Sequence, residues 1–572
     1  MNQLREYRNT ANTIKILLRR PFSASGCNNK RVAIVGAGWS GLTSAYFLHR
    51  CPELAAQLGP EFEMDAEDVH VTIFEKDSNV GGRIATTTYQ SDETGVDINI
   101  ESAARTLKTG RIGLYSYLEY DLLKQTGIMN TGLSSIGLGR EPPPMRFVYY
   151  NNRLWPAHIF TMMIPGNPIL KTLIEILKNI GMSKENMDFL SSRPDFSIKE
   201  FVTHMLPEGG SALCSALCNG IYGTSWENVS VRTAMPSLYN CAIEYASIYE
   251  FSGSRWKAVM AAREAMLRSF ASLPLPFKLV SPQSAKFWFN FSRSKLENEA
   301  KDVEFLTYAA TGYVAFKRGM QSFHEDLASF LLEHTSTNIK TNTSVTKILK
   351  TEDEMSVEYV TADGSPRSEV YDHVICASPF ENLRRMVDIE EPIPNLHTFS
   401  STKLDVVSMY FPERISFPNA FGYLYSRYKT TNSNGLLGVA FDSDVNPYTV
   451  CENGEPSDKG RLITAMREND GMSTESQILE ETCRTLSDHL MQKIDPEIAV
   501  VQTKEIPTPM PGHLMELQGL NEWLMLNFQG KLSVVGASYL NIGMSRCIEQ
   551  SFLTAYEVLQ HRSTGLSLAY QI

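Results

Sequence analysis

The chain has 572 residues, too many for one hydrophobic core, so two or three domains are expected. With 43% hydrophobic and 20% charged residues it has a globular composition, and a net charge of −11 excludes a nucleic-acid binder. No run of 18 apolar residues predicts a spanning helix, and nine scattered cysteines without Cys-x-x-Cys exclude a disulfide framework. Cys214 and Cys218 have no partners at metal-site spacing, so no metal is expected.

Residues 1–30 differ from the rest. Arg5, Arg8, Lys15, Arg19, Arg20 and Lys30 stand against one acid, Glu6, and Leu4, Tyr7, Ala11, Ile14, Leu17 and Leu18 recur at helical spacing. This is the make-up of a mitochondrial presequence, over 1–29, with a cleavage-like Arg20-Pro21-Phe22-Ser23.

Val32-Ala33-Ile34-Val35 predicts a buried strand, Gly36-Ala37-Gly38-Trp39-Ser40-Gly41 follows, and Leu42–Leu48 predicts a helix. Gly36 permits the tight turn, Gly38 lets the backbone approach a pyrophosphate, and Gly41 lets the helix pack close to the strand. The helix N-terminus offers free N–H groups and a positive dipole end to phosphates. A second strand, Val69–Phe74, ends on Glu75, whose carboxylate is placed to accept ribose hydroxyls, and Gly81-Gly82-Arg83 comes six residues later. Between them Cys51–Asp68 holds six acids and no base, and reads as a surface insertion.

Further elements follow in order. A helix is expected over about 112–127, a strand at Arg146–Tyr150 with a turn at Asn151-Asn152, and helices over 169–180, 197–206, 211–219 and 255–273. The polar 281–302 reads as loop. Then come a helix over Ser322–His334, a strand over Asn338–Leu349, a hairpin turning at Asp363-Gly364, and a buried strand His373–Ala377. Strands are expected at 406–411, 421–424, 436–441 and 461–466, and a helix over 474–494. Near the end, the strand Leu532–Val535 runs into Gly536, then Asn541-Ile542-Gly543-Met544 opens a terminal helix to about Gln560. This repeats the logic of the first glycine site and could set N–H groups against an electron-rich ring edge. A simple NAD site needs no such element, whereas a flavin has a second polar end that does.

These two glycine elements, with Gly81-Gly82-Arg83, resemble the FAD-dependent amine oxidase superfamily. Within it the chain resembles the protoporphyrinogen oxidase family, of the fungal mitochondrial type. Glu101-x-x-x-Arg105-Thr106-Leu107, Asn219-Gly220-Ile221-Tyr222-Gly223 with Ser230-Val231-Arg232, Phe316–Phe323, Gly422-Tyr423-Leu424, Leu436–Ser443 and Pro511-Gly512-His513 carry that likeness. It departs in two places: Ala103-Ala104 replaces Gly-Pro, and Glu549-Gln550-Ser551 lacks a late Ser-Gly.

The resemblance implies an α/β fold: an FAD-binding, Rossmann-like domain of the GR2 type, with a mixed-sheet substrate domain and an inserted helical membrane-binding domain. The FAD domain would comprise 30–108, 310–400 and 505–572, the helical domain 109–280, a loop 281–309, and the substrate domain 401–504. FAD contacts are implied at Gly36, Ala37, Gly38, Trp39, Ser40, Gly41, Glu75, Lys76, Gly82, Arg83, Val345, Gly536, Ile542, Gly543 and Met544. Substrate contacts are implied at Arg146, Gly220, Leu424, Ala440 and Met466. Arg146 would hold a propionate, the Gly220 carbonyl would face the pyrroles, and Leu424 and Ala440 would sandwich the ring.

The implied reaction removes six hydrogens from protoporphyrinogen IX in three flavin cycles, in the penultimate step of haem biosynthesis, with O2 as acceptor and H2O2 as product. No catalytic base is named. The implied setting is peripheral, on the intermembrane-space side of the inner mitochondrial membrane, as a homodimer in contact with ferrochelatase. Rival readings are another flavin amine or polyamine oxidase or a desaturase, and a redox-silent FAD-fold scaffold. Cys547 lies after the late glycine element, not ahead of it as a covalent-flavin amine oxidase needs.

Overall fold

The computed structural model describes residues 29–56, 68–109, 114–135, 145–150, 153–156, most of 184–243 and, with short breaks, 313–566, besides Ser254, Lys257 and Tyr308. The presequence, the Asn151-Asn152 turn and the helix expected over 169–180 lie outside the described residues. So do the helix expected over 255–273, Lys257 apart, and the loop 281–309, Tyr308 apart.

The first strand, Asn29–Val35, is the centre of a five-stranded parallel sheet. The order is Thr337–Lys340, Asp68–Phe74, Asn29–Val35, His373–Cys376 and Leu532–Val534. Strands of a parallel sheet are covered on both faces and read as unbroken apolar runs. Here Val32 and Ile34 enter one core, with the helices Trp39–Ala56, Met320–His334 and Met544–Leu559. Ala33 and Val35 enter the other, with the helix His513–Phe528 and the meander Ser344–Lys350, Met355–Val360, Pro366–Tyr371. Each side chain wholly buried there contributes about 1.5–3 kcal/mol. The sheet draws its strands from three separated stretches of chain, 29–74, 337–376 and 532–534.

Asn338–Leu349, expected as one strand, is two strands in two sheets. Thr337–Lys340 joins the parallel sheet and Ser344–Lys350 the meander. Asn342 between them has φ 49°, a left-handed turn that Asn tolerates better than most residues.

A second sheet has seven strands in the order Ile498–Pro509, Phe399–Phe411, Arg461–Glu468, Leu436–Ala440, Ala420–Tyr425, Met145–Tyr150 and Arg153–Pro156. It is antiparallel except where Ala420–Tyr425 runs parallel to Met145–Tyr150. The stretch 109–280, read as helical, thus contributes two strands to the sheet of 401–504, and the 504/505 boundary falls inside the strand Ile498–Pro509. That strand and the helix His513–Phe528 were not expected from sequence. The strand carries Pro507 and a polar Gln-Thr-Lys-Glu run, both tolerated because it lies at the sheet edge. The helix is apolar on nearly every side and shows no stripe.

Behind the second sheet lies the helix Glu475–Leu490, opened by a capping box between Thr474 and Gln477. In front lies the helix Glu208–Tyr222, whose Cys218 forms a separate small core with Phe201, Trp226 and Tyr239. Among the described residues no helix is long and apolar enough to cross a membrane.

Candidate active site

At the C-terminal end of the first strand Gly36 takes φ 103° and donates its N–H to the Phe74 carbonyl at 2.8 Å. A Cβ on Gly41 would lie 1.9 Å from the Gly36 carbonyl oxygen, so the helix meets the strand at a distance only glycine allows. Gly38 forms a bridge with Gly81, whose N–H donates to the Ala37 carbonyl at 2.9 Å. Gly81 and Gly82 both have positive φ, 122° and 62°. Backbone thus faces backbone across the helix N-terminus, leaving room where a Cβ on Gly38 would touch nothing closer than 3.8 Å.

Glu75 is buried at the tip of the second strand. Its Oε2 accepts the Ala37 N–H at 2.7 Å and its Oε1 the Asp77 N–H at 3.0 Å. Each oxygen keeps further lone pairs, so the carboxylate can still accept hydroxyls. The chain before Val345 borders the same tip: Glu75 N–H donates to the Lys340 carbonyl, and Thr343 N–H to that of Glu75. Val345 itself is half-buried beside a break in strand register. Lys76 and Arg83 are exposed.

The late glycine element lies against this one. Trp39 donates its indole N–H to the Met544 carbonyl at 3.1 Å. Gly536, with φ 120°, faces Ser40, since a Cβ there would come within 3.4 Å of Ser40 Oγ. Ser551 is wholly buried, donates to the Ser40 carbonyl at 3.2 Å and accepts from Thr43 Oγ1 at 3.0 Å. One sequence departure is therefore a hydroxyl that ties the two helices together. Gln550 was missed: its Oε1 accepts the Gly536 N–H at 3.0 Å, and its Nε2 donates to the Val534 and Gly565 carbonyls. Gly543 precedes the first residue of the terminal helix, and Ile542 packs against the small helical core around Tyr222.

Behind Gly81-Gly82 stands a strut that links two of the quoted stretches, Glu101–Leu107 and Phe316–Phe323. Glu101 accepts the Met320 N–H and the Thr86 hydroxyl, each at 2.9 Å, and Gln321 Nε2 donates to the Val80 carbonyl at 2.6 Å. Burial pushes the Glu101 carboxyl up to about 7, against the lowering effect of those two bonds. Ala103 and Ala104 pack on the first core. Arg105 Nε meets Asp442 Oδ1 at 2.5 Å, joining the two halves of the molecule.

On the second sheet the five implied substrate residues come together. Arg146, Gly422, Ala440 and Thr464 stand in one row across four strands, and Val148, Leu424, Gly438 and Met466 in another. Residues paired across a sheet share a face, as do those two apart along a strand. Arg146, Leu424, Ala440 and Met466 therefore share one face, so Leu424 and Ala440 lie side by side under a ring and do not sandwich it as expected. Gly220 reaches it from the helix in front: a Cβ there would lie 2.3 Å from Leu424 Cδ2. Gly438 backs onto Leu424 from below, at 3.0 Å by the same measure. Glycine inside a strand signals such close approach, a signal that could have marked Gly438. Arg146 is exposed, 5.1 Å from the Phe421 ring centroid, with no carboxylate partner among the described residues.

The opposite face is aromatic. His489 stacks on Tyr149 with ring centroids 3.9 Å apart and meets Tyr423 Oη at 3.0 Å. Burial lowers the His489 imidazole to about 4, so it is neutral. Among the described residues no cluster of His, Cys, Asp or Glu suits a metal.

A parallel sheet with a glycine-lined helix start, a buried acid at the next strand tip and a second glycine turn against the first defines a dinucleotide-dependent oxidoreductase. The chain belongs to the flavin-containing amine oxidoreductase family, which residues 255–557 match, while residues 34–119 match an NAD(P)-binding Rossmann-like domain. FAD is its cofactor. Over 93% of its length the chain is 24% identical to coproporphyrinogen III oxidase of Staphylococcus aureus, covering 99% of that protein. Over 92% it is 22% identical to protoporphyrinogen oxidase of Schizosaccharomyces pombe, covering 97% of it. A candidate protoporphyrinogen oxidase of Exiguobacterium sp. 255-15 shares the fold at a TM-score of 0.58, with 16% identity over 95% of this chain and 100% of that one.

Proposed function

We propose that the chain oxidises protoporphyrinogen IX to protoporphyrin IX, with O2 as acceptor and H2O2 as product. The observation that carries this reading is the shared sheet face: an exposed arginine, without a carboxylate partner among the described residues, shares it with Leu424, Ala440 and Met466. That pattern suits a large apolar macrocycle with carboxylates at its edge, because a guanidinium pairs with a carboxylate through two parallel hydrogen bonds. The relatives' names support porphyrinogen oxidation, one naming protoporphyrinogen and one coproporphyrinogen III.

The FAD would be held by the backbone cradle at Gly36–Gly41 and Gly81-Gly82, by Glu75, and by the Gly536–Met544 turn. It supplies the two-electron acceptor chemistry that no side chain offers. The chain's own part is to bind and orient. Arg146 anchors the propionate edge, Leu424, Ala440 and Met466 give an apolar floor, and Gly220 leaves its backbone bare against the ring. The reading extends to the mitochondrion: the presequence over 1–29 supports import, and the peripheral inner-membrane setting, the homodimer and the ferrochelatase contact belong to the same proposal.

The test is to express the chain without residues 1–22, record its flavin spectrum, and follow protoporphyrin fluorescence with protoporphyrinogen IX, coproporphyrinogen III and a polyamine as substrates. Fluorescence from the first substrate alone is the expected result. Turnover of the polyamine without porphyrinogen oxidation would sink the reading, and a flavin not bleached anaerobically by any of the three would mark a scaffold.

A further inference from the structure

The helix Glu208–Tyr222 docks on the second sheet through a polar seam beside its apolar one. Ser215 Oγ accepts the Arg427 N–H at 3.2 Å, and one turn later Asn219 Nδ2 donates to the Tyr425 carbonyl at 2.8 Å. Asn219 is 0% exposed. Its carbonyl partner settles the orientation of the amide, since only the NH2 group can face Tyr425 O. The amide oxygen is left over, buried and without a hydrogen-bond partner among the described residues. Arg427, whose guanidinium pairs with Glu468, leaves its Nε without a partner among the described residues.

A buried acceptor without a donor is costly, by about 1–3 kcal/mol, and folded chains rarely leave one unless something else supplies the donor. Asn219 stands one residue before Gly220, and its amide is tethered one residue beyond Leu424. Both Gly220 and Leu424 are among the residues placed at the proposed substrate face, where they touch each other. A porphyrinogen is not flat like its product: its saturated bridges pucker the ring and turn pyrrole N–H groups outward as donors.

We infer that Asn219 is a substrate-binding residue whose amide oxygen accepts a pyrrole N–H, with its NH2 group fixed to Tyr425 so that the oxygen is already oriented. This rests on the porphyrinogen reading above. It gives the site a means of recognising the reduced, N–H-bearing macrocycle that neither Arg146 nor the apolar face supplies.

The test uses the FAD-loaded enzyme and two competitive inhibitors of protoporphyrinogen oxidation, a dipyrromethane dicarboxylate and its difurylmethane isostere, in which each N–H is replaced by oxygen. The unchanged enzyme should bind the pyrrole form about tenfold more tightly, the effect of one hydrogen bond. Asn219→Leu should abolish that preference while leaving inhibition by the furan form within twofold. Asn219→Asp, which keeps an oxygen in place but gives up the amide NH2, should retain it. If Asn219 served only as a tether to Tyr425, the two variants would keep or lose the preference alike. Equal inhibition of the unchanged enzyme by both compounds, or a preference surviving in Asn219→Leu, would overturn the assignment and leave the seam to bound water. Failure of the unchanged enzyme to oxidise protoporphyrinogen at all would instead overturn the reading of the site on which it rests. Should Asn219→Leu not fold, the inhibitor pair on the unchanged enzyme and on Asn219→Asp still decides, since loss of the preference in either overturns the assignment.

Discussion

Gly220 and Leu424 touch with no room for one more carbon: a Cβ on Gly220 would sit 2.3 Å from Leu424 Cδ2 and 2.9 Å from its Cδ1. The contact joins a helix to a strand 204 positions away and fixes how closely the helix sits on the sheet. Gly220→Ala should therefore destabilise the chain by about 1–3 kcal/mol, the usual cost of overpacking. Leu424→Ala in the same molecule should relieve most of that. A double-mutant cycle by denaturant unfolding reads the coupling, and simple additivity would show that the two do not meet.

At Gly41 the obstacle is backbone. The Gly36 carbonyl oxygen, 1.9 Å from a Cβ there, cannot turn aside as a leucine side chain can. Gly41→Ala should push the helix Trp39–Ala56 off the first strand and open the phosphate cradle. The expected outcome is a protein purified without flavin absorbance. A variant that retained stoichiometric flavin would contradict this packing.

Glu75→Gln keeps the shape but replaces an acceptor oxygen with an NH2 group that would face either the Ala37 or the Asp77 N–H. Hydrogen bonds to a charged group are worth about 1.5–3 kcal/mol, so FAD affinity should fall by about 10- to 100-fold. Titration of the flavin-free protein with FAD measures it. Glu75→Asp, shorter by one carbon, should fall between the two.

Glu119, on the helix Leu114–Gln125, is wholly buried, and burial pushes its carboxyl up to about 8 although Ser545 and Tyr308 lower it. Unfolded, the same group titrates near 4.5. Between those values the folded chain holds a proton that the unfolded chain has released, so stability falls as pH rises through that window. Glu101, raised to about 7, acts in the same direction. His489, lowered to about 4, acts the opposite way below about pH 6.5. Glu119→Gln should flatten the decline in melting temperature between about pH 5 and about pH 8.5 without changing its value at the acid end.

Arg146→Met should raise KM for protoporphyrinogen by about tenfold or more and leave kcat nearly unchanged, because the guanidinium holds an edge remote from the bond that breaks. Steady-state fluorescence assays give both constants. A fall in kcat with KM constant would place Arg146 at the reacting centre instead.

Much of the first site was legible because its chemistry is local. Gly36, Gly38 and Gly41 lie within one turn, and the acid at the next strand tip follows from where an apolar run stops. The strand break at Asn342 was not legible, since the polar run Lys340–Ser344 that contains it has no Gly or Pro and only a left-handed φ shows that two sheets share the stretch. The edge strand Ile498–Pro509 hid behind a proline that an edge permits. Gln550 and Asn219 fall in stretches the sequence reading quoted, but their roles were not legible: each matters through a hydrogen bond to a residue chosen by the fold, Gly536 in one case and Tyr425 in the other.

The sequence by itself determined the parallel sheet, the two glycine turns and the need for a cofactor with two polar ends, because glycine spacing and apolar periodicity act over a few residues. Only the tertiary structure decided that Arg146, Leu424, Ala440 and Met466 share one face with Gly220 pressed against it. That face is assembled from strands and a helix as far as 320 positions apart, and strand register, which one residue of slippage would invert, is set by cores on both sides of the sheet rather than by any segment alone.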